Sequence, residues 1–145
     1  MDIFDFFQRE NDKILITLQK LEEASARKVE ERKALLAEAC ERILSQFRIE
    51  DEHLYPYLQL NPQTHELCEV CRNENRETES VLTQLYETLP TDKRFQYLAE
   101  RLHGRMMRQS LRREKDLYPQ LRRIIPGDEL EILGQKAQVT VPPKE

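Results

Sequence analysis

The residues most able to do chemistry lie between Gln46 and Pro56, in the run Gln-Phe-Arg-Ile-Glu-Asp-Glu-His-Leu-Tyr-Pro. Within it Gln46, Glu50 and His53 follow one another at steps of four and three residues. On a helix that spacing puts an amide, a carboxylate and an imidazole on one face. Carboxylate and imidazole are the side chains that bind divalent metals and move protons. Glu50 with His53 forms a Glu-x-x-His pair, and Glu100 with His103 forms a second. Two such pairs meeting at one level would build a di-metal carboxylate site in a helix bundle. Cys68 and Cys71 form a Cys-x-x-Cys, and Arg101, Arg105, Arg108 and Arg112 give a later stretch a basic edge.

These residues must be positioned by helices. The inward face around Glu50 reads Leu36, Ala39, Ile43, Gln46, Glu50, His53, Tyr57, the apolar stripe of a bundle helix with polar groups at its centre. A first helix is expected over about residues 2–25, with stripe Ile3, Phe7, Asn11, Ile14, Leu18, Leu21. The second covers about 31–58. A third runs over about 62–89, with Asn61 as N-cap, Pro62 at its first position, and stripe Cys68, Cys71, Asn75, Thr78, Leu82, Leu85, Leu89. Pro90-Thr91-Asp92 breaks it. The fourth runs to about Arg122, with stripe Phe95, Leu98, Leu102, Met106, Gln109, Arg113, Leu117. A short fifth helix, Glu129 to Leu133, is expected to stop at Gly134. Long helices on short links predict an all-α, up-down-up-down four-helix bundle over residues 1–134, with a loosely packed tail at 135–145.

The two halves of the chain match at an offset of 63 or 64 residues. Leu54-Tyr55-Pro56 recurs as Leu117-Tyr118-Pro119, Glu10-Asn11 as Glu74-Asn75, and Gln46 and Glu50 fall on Gln109 and Arg113. Antiparallel topology brings Asn11, Gln46, Glu50, Asn75, Gln109 and Arg113 to one level, a polar layer across the core. Glu50 and Arg113 carry opposite charges, and amides both donate and accept, so such a layer satisfies itself without an ion. The same register puts His103 ten residues before Arg113, ~15 Å along the bundle from the level of Glu50. The two Glu-x-x-His pairs therefore miss each other, and His53 is expected near the bundle end, bonded to a carboxylate or backbone. Tyr55 and Tyr118 are expected to pack beneath the helix ends.

Together the duplicated Leu-Tyr-Pro endings, the Ile-Glu-Asp-Glu-His run and the helical layout over about Asp2 to Leu133 resemble the hemerythrin-like (HHE cation-binding) family. In that family a His on the first helix, a His-x-x-x-Glu on the second, a His on the third and a His-x-x-x-Glu on the fourth hold a di-iron centre. Carried over, the resemblance implies ligand positions at Asn11, Gln46, Glu50, Asn75, Gln109 and Arg113. Every expected His is an amide here, and one expected Glu is Arg. Neutral imidazole is a good iron ligand and an amide a poor one, while Arg113 brings a fixed positive charge. Glu50 alone keeps ligand chemistry.

Two functions follow. The first is a non-enzymatic binding or regulatory module without cofactor, its polar layer built on a Glu50–Arg113 pair. The second is an iron- or oxygen-handling protein, with a di-iron centre shifted to Glu50, His53 and nearby carboxylates. Arg101, Arg105, Arg108 and Arg112 form either a solvated face balanced by acidic neighbours or a docking surface for an acidic protein. The net charge of −4 and the lack of interleaved aromatics argue against nucleic acid. No apolar run of ~18 residues suggests a membrane span. An acidic N-terminus without a signal-peptide pattern and an odd count of three cysteines suit a monomer or weak dimer in the cytoplasm. Cys68 and Cys71 read as small buried hydrophobes ahead of a redox pair, because no strand precedes them.

Overall fold

In the computed structural model, residues 1–140 are described; for Thr140 this covers the backbone alone. The elements are α1 (Ile3–Glu23), α2 (Val29–Ile49), α3 (Tyr55–Leu60), α4 (His65–Tyr86), α5 (Lys93–Arg112), α6 (Tyr118–Ile124) and α7 (Gly127–Thr140). A π turn, Glu50–Leu54, joins α2 to α3, and another, Arg113–Leu117, joins α5 to α6. The result is an all-α helical bundle with a C-terminal helix. Helix α1 packs on α2, α5 and α7, while α4 packs on α5 and α3. Asp2 starts α1 with a capping box, its Oδ1 accepting from the Asp5 amide at 2.9 Å. Asp92 starts α5 by accepting from the Arg94 amide at 2.8 Å.

The π turns have a cause in the sequence. Pro56 and Pro119 lack an N–H, and in a straight α-helix each ring would press on the carbonyl four residues back, Glu52 or Lys115. Widening one turn moves those carbonyls aside. The Tyr55 amide donates to the Glu50 carbonyl and the Tyr118 amide to that of Arg113, each five residues away. Each wide turn adds one residue to the helical count, so the inward face slips by one. The expected inward positions His53 and Tyr57 are only half-buried, and Leu54, Tyr55 and Leu58 take the core instead, all fully buried.

Other boundaries also differ from expectation. Helix α4 starts at His65, with Thr64 as the capping residue in place of Asn61. It ends at Tyr86, which leaves Leu89 outside the stripe and 72% exposed. Gly134 does not stop the fifth helix, which continues to Thr140 and buries Ala137. Gly134 is instead a close-approach site. A Cβ there would run into the backbone of Met1, Asp2 and Ile3, so glycine lets α7 close over the N-terminus. The expected tail thus contributes helix as far as 140, and its remainder, 141–145, falls outside the described residues.

The apolar core comes in two parts. One, around Phe7, Leu54, Tyr55, Leu58, Leu117 and Leu121, includes the face of α7. The other, around Ile14, Leu18, Ile43, Leu82, Leu98 and Leu102, fills the opposite end. The polar positions lie between them.

Candidate functional site

Glu50 opens the first π turn and Arg113 the second, so the wide turns flank a facing pair of charges. Glu50 is fully buried and Arg113 is 3% exposed. Arg113 Nε lies 2.8 Å from Glu50 Oε2, and Nη2 donates to Oε1 at 3.3 Å. The shorter approach is a charge contact out of line for a hydrogen bond, since neither Nε nor Oε2 finds a properly directed partner. Tyr55 Oη donates to Glu50 Oε1 at 2.9 Å, and Asn75 Nδ2 donates to the same oxygen at 3.1 Å. Asn75 Oδ1 in turn accepts from Arg113 Nη2 at 2.7 Å. One amide therefore bridges both charges, as the donor and acceptor ends of Asn permit.

Electrostatics follow from this packing. Burial alone would lower the Arg113 pKa, but the adjacent Glu50 carboxylate overrides it and holds the guanidinium well above its ordinary value. Burial, then the Glu50 charge, push the Tyr55 hydroxyl upward, so it stays a neutral donor. Cys71, close to the same charges, is pushed up to about 12, chiefly by burial. Cys68 is raised for the same leading reason. All three cysteines are free thiols, and a buried thiol held in its neutral form is a poor nucleophile.

From Asn75 the hydrogen bonds run outward in one direction. Gln109 Nε2 donates to Asn75 Oδ1 at 3.2 Å, and Thr78 Oγ1 donates to Gln109 Oε1. Arg105 Nε donates to Thr78 Oγ1 at 3.3 Å. Read from the surface, Arg105, Thr78, Gln109, Asn75 and Glu50 form a head-to-tail chain from an exposed-edge guanidinium to a buried carboxylate. Such chains polarise their members in the same sense, each bond strengthening the next.

Asn11 and Gln46 do not join this cluster. Gln46 is 5% exposed, and both its Oε1 and Asn11 Oδ1 are buried without a hydrogen-bond partner. Two amides of the expected layer thus serve the pair, directly (Asn75) or through Asn75 (Gln109), and two stand apart. His53, with its side chain 19% exposed, has Nε2 3.9 Å from Glu52 Oε2 and takes no part in the hydrogen bonds of the Glu50 cluster. His103 Nδ1 is 3.3 Å from Glu22 Oε1, toward the other end of α1. Among the described residues no group of three or more His, Cys, Asp or Glu is placed to hold a metal ion.

The sequence reading missed Tyr55 and Thr78 as members. Thr78 was on the inward stripe of α4 and needed only its hydroxyl counted. Tyr55 becomes inward through the π turn alone, and the proline after it was the available signal. Of the basic edge, Arg105 bonds the Glu74 carbonyl and Glu77, Arg112 pairs with Glu74, and Arg101 and Arg108 are exposed.

Comparison with known proteins decides the family. The hemerythrin HHE cation-binding domain matches residues 2–121. The chain belongs to the hemerythrin HHE family. A crystal structure of a hemerythrin HHE cation-binding domain-containing protein from Mycobacterium kansasii is similar to it, with a TM-score of 0.85 and 25% identity. That match covers 97% of this chain and 85% of the other. Among curated proteins no match is found. The six positions that the sequence resemblance assigned to ligands carry Asn11, Gln46, Glu50, Asn75, Gln109 and Arg113. No helix among the described residues is long and apolar enough to cross a membrane.

Proposed function

We propose that this hemerythrin-like chain holds no di-iron centre and works as a non-enzymatic binding or regulatory module. The observation that carries the proposal is the buried Glu50–Arg113 pair, at 2.8 Å, on two positions that the sequence resemblance assigns to ligands. A guanidinium has five donors and no acceptor, so it cannot ligate a cation. A cation placed ~4 Å from it would be repelled by several kcal/mol even at an effective ε of about 20. Both oxygens of Glu50 already face Arg113, Tyr55 or Asn75. The shifted site at Glu50 and His53 is disfavoured on the same ground, since His53 faces Glu52 outside the cluster.

With the interior closed in this way, recognition falls to the surface. The α4–α5 face, where Arg105, Arg108 and Arg112 meet Glu74 and Glu77, is the face we assign to it. Free thiols suit the reducing cytoplasm. Elemental analysis of protein from iron-supplemented cells, with its absorption spectrum, tests the reading. Less than about a tenth of an iron per chain and no visible band is expected, whereas about two irons per chain would overturn it.

A further inference from the structure

Between α4 and α5 a cleft of about 360 Å³ opens over the outer end of the hydrogen-bonded chain. Its walls carry Arg105, Arg108 and Arg112 from α5 and Glu74 and Glu77 from α4, with Gln109 also lining it. The three guanidiniums follow steps of three and four residues, so one helix face delivers them together. They differ in what holds them. Arg105, with its side chain 16% exposed, is fixed by Thr78 Oγ1, the Glu74 carbonyl and Glu77 Oε1 at 3.2–3.3 Å. Arg112 is held by Glu74. Arg108 makes no hydrogen bond or ion pair among the described residues, and lies folded back along its helix over Gly104.

We propose that this cleft is a binding site for a small oxyanion, a phosphate- or sulfate-like group, with Arg108 as its principal ligand and Arg105 as a preformed second donor. Guanidinium presents paired donors that match an oxyanion in geometry and charge. The charges around the cleft sum to one positive, carried by Arg108, the group without a partner. Arg105 is already immobilised by the chain that ends on Glu50, so its ordering cost is met before the anion arrives. Occupancy would reach the interior through the same chain, because Arg105, Thr78, Gln109 and Asn75 are bonded in series. The assignment rests on reading the chain as a binding module, but not on the loss of iron.

The test is titration of the intact protein, of measured iron content, with inorganic phosphate and then sulfate, against sodium chloride at matched ionic strength. Binding is followed by amide and side-chain nitrogen NMR. A saturable shift is expected, including the side-chain amides of Gln109 and Asn75. In Arg108→Gln it should weaken by about tenfold or more, as loss of a charge-assisted hydrogen bond implies. Arg101→Gln, an exposed arginine outside the cleft, should bind as the parent does. Linear shifts shared by phosphate and chloride, or equal binding by both variants, would overturn the site. A polyglutamate peptide that binds where phosphate does not would also overturn it, in favour of a protein-docking face. Protein that carries iron yet binds phosphate through Arg108 would refute the metal-free reading and leave this one standing.

Discussion

Arg113→Ala is the most informative perturbation. The substitution leaves Glu50, fully buried, facing only Tyr55 and Asn75. Removing one member of a buried pair costs about 3–5 kcal/mol, because the remaining charge is left without compensation. Set against a typical total of about 5–15 kcal/mol, the variant would be marginal. Its melting temperature should fall by roughly 10–20 °C at this chain length. The assay is urea denaturation with thermal melts, made on Arg113→Ala, on Glu50→Leu and on the double variant Glu50→Leu/Arg113→Met. The double variant should recover most of the loss, since well-packed apolar residues often replace a buried pair at no cost. Lys33→Ala is a fair contrast, because Lys33 and Glu30 are 63% and 89% exposed, and such pairs contribute about 0.5 kcal/mol or less. A loss under about 1 kcal/mol in Arg113→Ala would refute the stranded-charge reasoning. A double variant no more stable than the single would show that the loss came from packing.

Three further outcomes are expected. Gly134→Ala should destabilise, although alanine in a helix is ordinarily favoured by about 1 kcal/mol, because its Cβ would run into the Met1 carbonyl; a raised melting temperature would show that α7 does not close on the N-terminus. Cys71 is raised in the fold from 9.0 to about 12, so the unfolded chain loses that proton first, and stability should fall as pH rises from about 9 toward about 12; the Cys71→Ser variant should show a shallower fall over the same window in denaturant titrations. Arg32, 3% exposed, donates to the carbonyls of Ala24 and Pro90 and to Gln96 Oε1; Arg32→Met should cost about 1–3 kcal/mol for each carbonyl left without a donor, and a loss under 0.5 kcal/mol in chemical denaturation would refute that clamp between the two helix connections.

Periodicity sufficed for the long helices because each buries a stripe repeating every three or four residues. Phe95, Leu98, Leu102, Met106, Gln109, Arg113 and Leu117 are all buried, as their spacing requires. Opposite charge at Glu50 and Arg113, placed alike in the two halves, was enough to suggest the pair. A change of helical pitch leaves no such signature. The second helix was read as regular through Pro56 to about residue 58, whereas the chain widens one turn ahead of the proline, which exchanges His53 for Leu54 on the inward face and brings Tyr55 to Glu50.

Residue type and spacing by themselves determined the bundle, its family, and the presence of a charged and amide-rich level within it, since these depend on burial and on local geometry. Tertiary structure alone decided which polar groups meet. Asn75 reaches both charges and Gln109 reaches Asn75, while the oxygens of Asn11 and Gln46 find no donor. It also decided that Gly134 serves a contact with residue 1 in place of a helix stop. Hydrogen bonds depend on fractions of an ångström between distant segments, and a helical period fixes which face a side chain takes without fixing that distance.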